Sequence, residues 1–199
     1  MMQHLIRSRH CKRRRRSRLS RAWPLLLLAM ASLQGPAGSS QAGYRVEQVH
    51  AAFLYNLARF VSWPENSFQG PQAPLSICFL GTTSVLDLLH QAAAGEQVRG
   101  RPLATRQLDS LEGVNGCHML FFTPRSARLH ADRLQGLQQR PILLISPLSR
   151  FAESGGMLAL VERERRIHPV INLRAVNRAG IVISSKLLRL ATITRGGGS

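Results

Sequence analysis

Between residues 45 and 63, apolar side chains recur every three or four positions: Val46, Val49, Phe53, Leu57 and Phe60, with Leu54 and Val61 widening the stripe. That spacing gathers them on one face of a helix, and Arg45, Gln48, Tyr55, Arg59 and Ser62 lie away from its centre. Pro64 disfavours helical geometry at Trp63, so the helix is expected to end there. Asn66, Gly70, Pro71 and Pro74 make residues 65–74 a loop. The helical stretch is too short, and with Asn56 and Arg59 too polar, to be a membrane span.

Beyond the loop the pattern changes. "LSICFLG" (75–81), "CHMLFFT" (117–123) and "PILLISP" (141–147) are short continuous apolar runs, as expected of strands buried on both faces. Ser84 and Asp87 offer a capping box for a helix to about Ala94, and "RPLATRQL" (101–108) alternates as a strand does. Asn115-Gly116 marks a turn, and Thr123-Pro124 opens a helix expected to reach about Gln139. "GGMLALVERERRIHPVINL" (155–173) reads as two extended runs around a charged tip, an antiparallel hairpin. A short helix over Leu173 to Ala179 follows, and "ISSKLLRLATI" (183–193) suits a strand entry and then a final amphipathic helix. The predicted fold class is α/β: one compact domain, a mainly parallel sheet flanked by helices, with an antiparallel hairpin near the C-terminus. No repeat interrupts it.

Charge changes the picture at one end. The chain has 199 residues and a formal charge of +17, but residues 1–42 hold nine Lys or Arg and no acid. The remainder has 18 bases and 10 acids, or +8. After the basic block come "WPLLLLAMASL" and then small residues to Ser40-Gln41-Ala42. A positive front, a short apolar middle and small residues describe a secretory signal peptide over 1–42, cleaved after Ala42; the rival reading is a basic nucleic-acid-binding arm. The expected domain then spans 43–192, with 193–199 a flexible tail. An exported chain with few aromatics among its bases is not expected to bind nucleic acid.

Export also changes the cysteines. Cys11 leaves with the signal, so Cys78 and Cys117 remain as a pair in an oxidising compartment; they read as a bridge, or alternatively as two buried thiols. Closing a loop of about forty residues stabilises a fold by about 4 kcal/mol in the chain-entropy model.

Catalytic chemistry does not assemble. His50, His90, His118 and His168 are scattered without ligand spacing, so no metal is expected. Cys117-His118 would point to opposite faces of a strand, which is poor geometry for a nucleophilic dyad. "GTTS" (81–84) has one glycine and no following lysine, and "SSK" (184–186) lacks the spacing of a Ser-x-x-Lys nucleophile. No enzyme activity and no cofactor are expected. Arg163, Arg165 and Arg166 cluster at the hairpin tip, either as a solvated turn or as a footprint for an acidic partner.

"VHAAFLYNLARFVSWP" (49–64), "ICFLG" (77–81), "GCHMLFFTP" (116–124), the 155–173 hairpin and "AGIVISSKLLRLA" (179–191) together resemble the YfiR family, in this order and spacing, from about Val46 to Leu190. The resemblance implies a periplasmic α/β protein without catalytic activity. Such a protein represses an inner-membrane diguanylate cyclase by contacting its periplasmic sensor domain, lowering cyclic-di-GMP and restraining biofilm formation. An outer-membrane, peptidoglycan-binding lipoprotein can sequester the repressor, and homodimers are compatible with the family. Cys78 and Cys117 stand at matching positions for one family disulfide. A second pair found in some relatives is absent from "SPLSRFAESGGMLAL" (146–160), so a two-disulfide switch does not carry over. Phe60, Val61, Trp63 and Pro64, where core gives way to surface, are candidate partner contacts together with Arg163, Arg165 and Arg166; Trp63 reads equally as a cap on the core. The alternative function is a periplasmic sensor of a small nucleotide or aromatic ligand, which an apolar pocket with basic groups at its mouth would favour.

Overall fold

The computed structural model describes residues 45–195. The expected signal peptide and residues 196–199 lie outside the described residues.

Helix α1 (Val46–Phe60) buries His50, Ala51, Leu54, Leu57 and Ala58. It stops three residues before the expected end because Val61–Ser62 turn extended as strand β1. A partner strand β9 (Val182–Ile183) pairs with it antiparallel, and the Ser184 amide donates to the Phe60 carbonyl (2.8 Å). An available partner for a β-branched valine thus outweighs one more helical turn.

The main sheet begins with β2 (Leu75–Leu80), followed by α2 (Ser84–Ala93), the short β3 (Gln97–Val98) and β4 (Arg101–Leu108). Next come β5 (Met119–Phe122), α3 (Pro124–Leu129), α4 (Leu134–Leu137) and β6 (Leu143–Ser146). The C-terminal part adds β7 (Leu158–Arg163), β8 (Arg166–Asn172), α5 (Leu173–Arg178), β9, α6 (Ser185–Leu188) and β10 (Thr192–Thr194). The eight strands lie in the order β10-β8-β7-β6-β5-β2-β4-β3. Only the β3–β4 and β7–β8 pairs are antiparallel, so the sheet is mainly parallel, and the expected C-terminal hairpin is in place. All residues of β5 and β6 are buried, as continuous apolar strands covered on both faces require. Phe79, Phe121, Phe122 and Phe151 form the aromatic centre of the core.

Local differences from the pattern have local causes. The N-cap of α2 is Thr83, whose hydroxyl accepts from the Val85 amide (3.3 Å), one residue before the expected Ser84. The helix expected over 124–139 is interrupted by a 3-10 turn at Ala131–Arg133. No residue from 128 to 133 is buried, so that turn has no apolar anchor to hold it in α geometry. The final helix is only four residues long. Thr192, Ile193 and Thr194 are β-branched and add to β8 as a parallel edge strand instead, which carries ordered chain two residues into the expected tail.

Candidate functional site

Trp63 lies inward. It is 8% exposed, and its indole N–H donates to the His118 carbonyl (2.9 Å) across 55 residues of sequence. That carbonyl also accepts from the Leu143 amide (2.8 Å), so the tryptophan joins a junction at the start of β5 and β6. Val61 is buried, whereas Phe60 and Pro64 are half-buried.

The loop after Trp63 folds back over this junction through one aromatic. Phe68 stacks on the His118 ring (centroids 4.2 Å, 23° apart), and the Arg101 guanidinium covers it at 3.7 Å. Arg101 also donates to the Gly70 and Ala73 carbonyls (2.8 and 3.1 Å) and pairs with Glu65 (3.1 Å). A mostly polar loop is therefore held by a Trp-His-Phe-Arg ladder, with Trp63 edge-on to His118 at 6.0 Å. The His118 Nδ1 accepts from the Ser76 amide (3.1 Å), so Nε2 carries the proton. Burial, reinforced by the Arg101 charge and opposed by the Ser67 backbone, lowers the His118 pKa to about 4. The ring is neutral at pH 7 and is a packing element.

Beside it, Cys78 and Cys117 are bonded (Cα–Cα 5.8 Å). The bridge ties β2 to the residue preceding His118. Arg106, which faces Cys78 in the β2–β4 register, places Nη2 3.2 Å from the Cys117 Sγ and 3.7 Å from the Cys78 Sγ. The same nitrogen donates to the Gly113 and Asn115 carbonyls (3.0 and 2.9 Å), while Arg140 donates to the Asn115 side chain. A cavity of about 250 Å³ opens here, lined by Ser76, Arg106, Asn115 and His118 among others. Polar groups share its walls about equally with apolar ones such as Ala73 and Pro74, whereas the ligand-sensor alternative calls for a predominantly apolar pocket.

Parallel α/β sheets often bind ligands at the carboxyl ends of strands where the strand order reverses. Here the reversal falls at β2, whose chain leads to β4 on one side while β5 joins on the other. That crevice is stitched shut. Ser126 donates to the Leu80 carbonyl (2.7 Å), and a Cβ on Gly81 would meet the Thr123 hydroxyl at 2.8 Å.

The candidate contacts fall into two groups that the structure keeps apart. Phe60, Val61, Trp63 and Pro64 belong to the amino-terminal end of the parallel strands, where Trp63 meets His118. Arg163, Arg165 and Arg166 are exposed at the hairpin tip. Register carries the tip past the opposite end: Leu158 pairs with Ile145 near the end of β6, and β7 runs on to Arg163. Phe68, Arg101 and Arg106 were missed in the sequence. Phe68 could have been noticed as the one aromatic in an otherwise polar loop. The arginines were hidden because strand pairing, not local spacing, brings them to the site. Among the described residues no group of three His, Cys, Asp or Glu is placed to hold a metal ion, and no helix is long and apolar enough to cross a membrane.

The architecture is thus a disulfide-closed α/β domain whose polar clusters at Arg101 and Arg106 brace loops. A profile of the YfiR/HmsC-like family matches residues 47–192, and the chain belongs to that family. The family is one of regulatory proteins. Comparison with curated proteins gave no match.

Proposed function

We propose that this protein is a periplasmic repressor of an inner-membrane diguanylate cyclase. It acts by contact with the cyclase's periplasmic sensor domain, and so lowers cyclic-di-GMP and restrains biofilm formation. The observation that carries the reading is the family match over nearly the whole described domain. The Cys78–Cys117 bond fits an oxidising compartment. The basic, apolar start and small residues of 1–42 fit export.

The mechanism is a population shift: the bound repressor favours the inactive arrangement of the cyclase, which demands unequal affinity for its two states. An outer-membrane, peptidoglycan-binding lipoprotein would relieve repression by competing for the repressor. The test is intracellular cyclic-di-GMP after deletion of the gene in a strain expressing the cyclase. Complementation uses the full chain and a chain lacking residues 1–42. A rise reversed only by the full chain supports the reading, and unchanged cyclic-di-GMP overturns it.

A further inference from the structure

The charge of the described domain is concentrated at its C-terminal end. Residues 45–195 contain 18 Lys or Arg and 10 Asp or Glu, a balance of +8. From position 166 to 195 stand Arg166, Arg174, Arg178, Lys186, Arg189 and Arg195 and not one acid, so this segment supplies +6; the rest, with 12 bases and 10 acids, supplies +2. All six are exposed. The ion pairs Arg59–Glu96, Arg101–Glu65, Arg133–Asp132 and Arg150–Glu153 lie elsewhere.

The same segment exposes apolar side chains. Among the described residues the large hydrophobics most open to solvent are Leu129, Val182, Leu190 and Ile193, and three of these four belong to it, with Leu190 77%, Val182 63% and Ile193 46% exposed. Topology relates two of them, Leu190 and Ile193, while Val182 lies on β9, which pairs with β1. Strand β10 is the outermost of the sheet, paired only with β8 among the described strands. Arg189 and Leu190 precede it, separated from it by one residue, Ala191, and Ile193 is on it. Its last residue, Thr194, pairs with Asn172, so Arg195 and Arg174 follow at the same end of the edge. The flank along β10 therefore sets the exposed aliphatic groups of Leu190 and Ile193 between the cations Arg189 and Arg195.

We propose that this β10 flank adsorbs to a membrane surface rich in anionic phospholipid headgroups. Cations attract such a surface by about 1 kcal/mol each, and aliphatic side chains between them enter the headgroup boundary. Protein interfaces concentrate their energy in aromatic anchors set in desolvated pockets. Residues 166–195 contain no Phe, Trp or Tyr, and none of their side chains lines the cavity beside Arg106. The composition is that of a surface for lipid. Adsorption would hold the domain at the bilayer where a membrane-bound partner resides, yet it stands on its own: an adsorbing domain that represses nothing, or a repressor that never adsorbs, separates the two readings.

The test is co-sedimentation of the full chain with vesicles of phosphatidylethanolamine and phosphatidylglycerol, against vesicles of phosphatidylcholine. Lys186→Glu, Arg189→Glu and Arg195→Glu are combined in one variant. A control of equal net charge carries Arg125→Glu, Arg128→Glu and Arg150→Glu. The arginines of residues 7–21 are common to all chains, so their contribution cancels. The patch variant is expected to lose about tenfold or more in affinity for the anionic vesicles relative to the control. Leu190→Ser with Ile193→Ser is expected to weaken binding without changing its salt dependence. A melting curve for each variant confirms folding, and the same three positions changed to Gln replace the Glu set if it does not fold. Equal sedimentation of patch variant and control, or no preference for anionic over zwitterionic vesicles, overturns the proposal. So does a loss seen on a polyglutamate surface but not on vesicles, which would assign the flank to an acidic protein.

Discussion

Trp63 shows how a residue read as a possible surface anchor can be a structural tie. Its ring fills core, and its N–H meets a carbonyl that already has one partner. Trp63→Phe should therefore cost about 1 kcal/mol for the lost hydrogen bond, and a further amount for the packing that the smaller ring gives up. Trp63→Ala should cost about 3–5 kcal/mol by opening a cavity. Denaturant titration of both variants separates the terms, and equal losses would mean that the hydrogen bond, not packing, holds the residue. His118 contributes a pH dependence whose sign follows from its lowered pKa. Between about pH 6.5 and pH 4 the unfolded chain binds a proton that the folded ring refuses, so stability is full above 6.5 and falls as the pH drops to 4. The span is on the order of 2–3 kcal/mol. His50, also buried and also lowered chiefly by desolvation, adds in the same direction. His118→Gln should flatten the fall in stability over this range, and an unchanged slope would assign it to other groups.

Among the elements, those with a strong apolar period were legible: α1, the buried strands and the hairpin stand where the pattern puts them. What escaped depended on partners far away in sequence. β1 exists because β9 is there to pair with it, and β10 because β8 offers a free edge. The chemistry-bearing neighbours escaped for the same reason, since Arg106 reaches the disulfide through the β2–β4 register. The hairpin tip carries a testable strain. Glu164 and Arg165 adopt φ of 50° and 61°, left-handed values that suit Asn-Gly in a two-residue turn. Replacing Glu164-Arg165 by Asn-Gly should stabilise the domain by about 1 kcal/mol, raising Tm by about 2–4 °C. In the cyclic-di-GMP test of the proposed function, an undiminished effect of that variant would remove Arg165 from the candidate contacts. Gly156 is the opposite case. A Cβ there would stand 2.2 Å from the Phe151 ring, in the turn that feeds β7. Gly156→Ala should destabilise by about 1–3 kcal/mol through overpacking. Phe151→Leu in the same chain should recover part of that loss.

For the whole molecule, the candidate contacts at opposite ends of the strands mean that no single small patch holds both Trp63 and the basic tip. Sequence adjacency gave no warning of this, because the separation is created by the register of β6 with β7 and by the length of the hairpin beyond it. The bond between Cys78 and Cys117 acts at the same scale. It joins the central strand β2 to the entrance of β5 and closes the excursion through α2, β3 and β4, a separation of 39 residues. Opening it restores that loop's entropy to the unfolded chain, a loss of about 4 kcal/mol. Both sulfurs are buried, so the cost of Cys78→Ala with Cys117→Ala includes lost packing. The paired serine change would add unsatisfied hydroxyls and overstate the effect. The expected result is a lower midpoint in urea for the double alanine variant and a somewhat smaller shift, the chain-closure part alone, when the native chain is measured under reductant. A reductant shift much smaller than the variant's would mean that packing of the sulfurs, rather than chain closure, is what the bridge contributes.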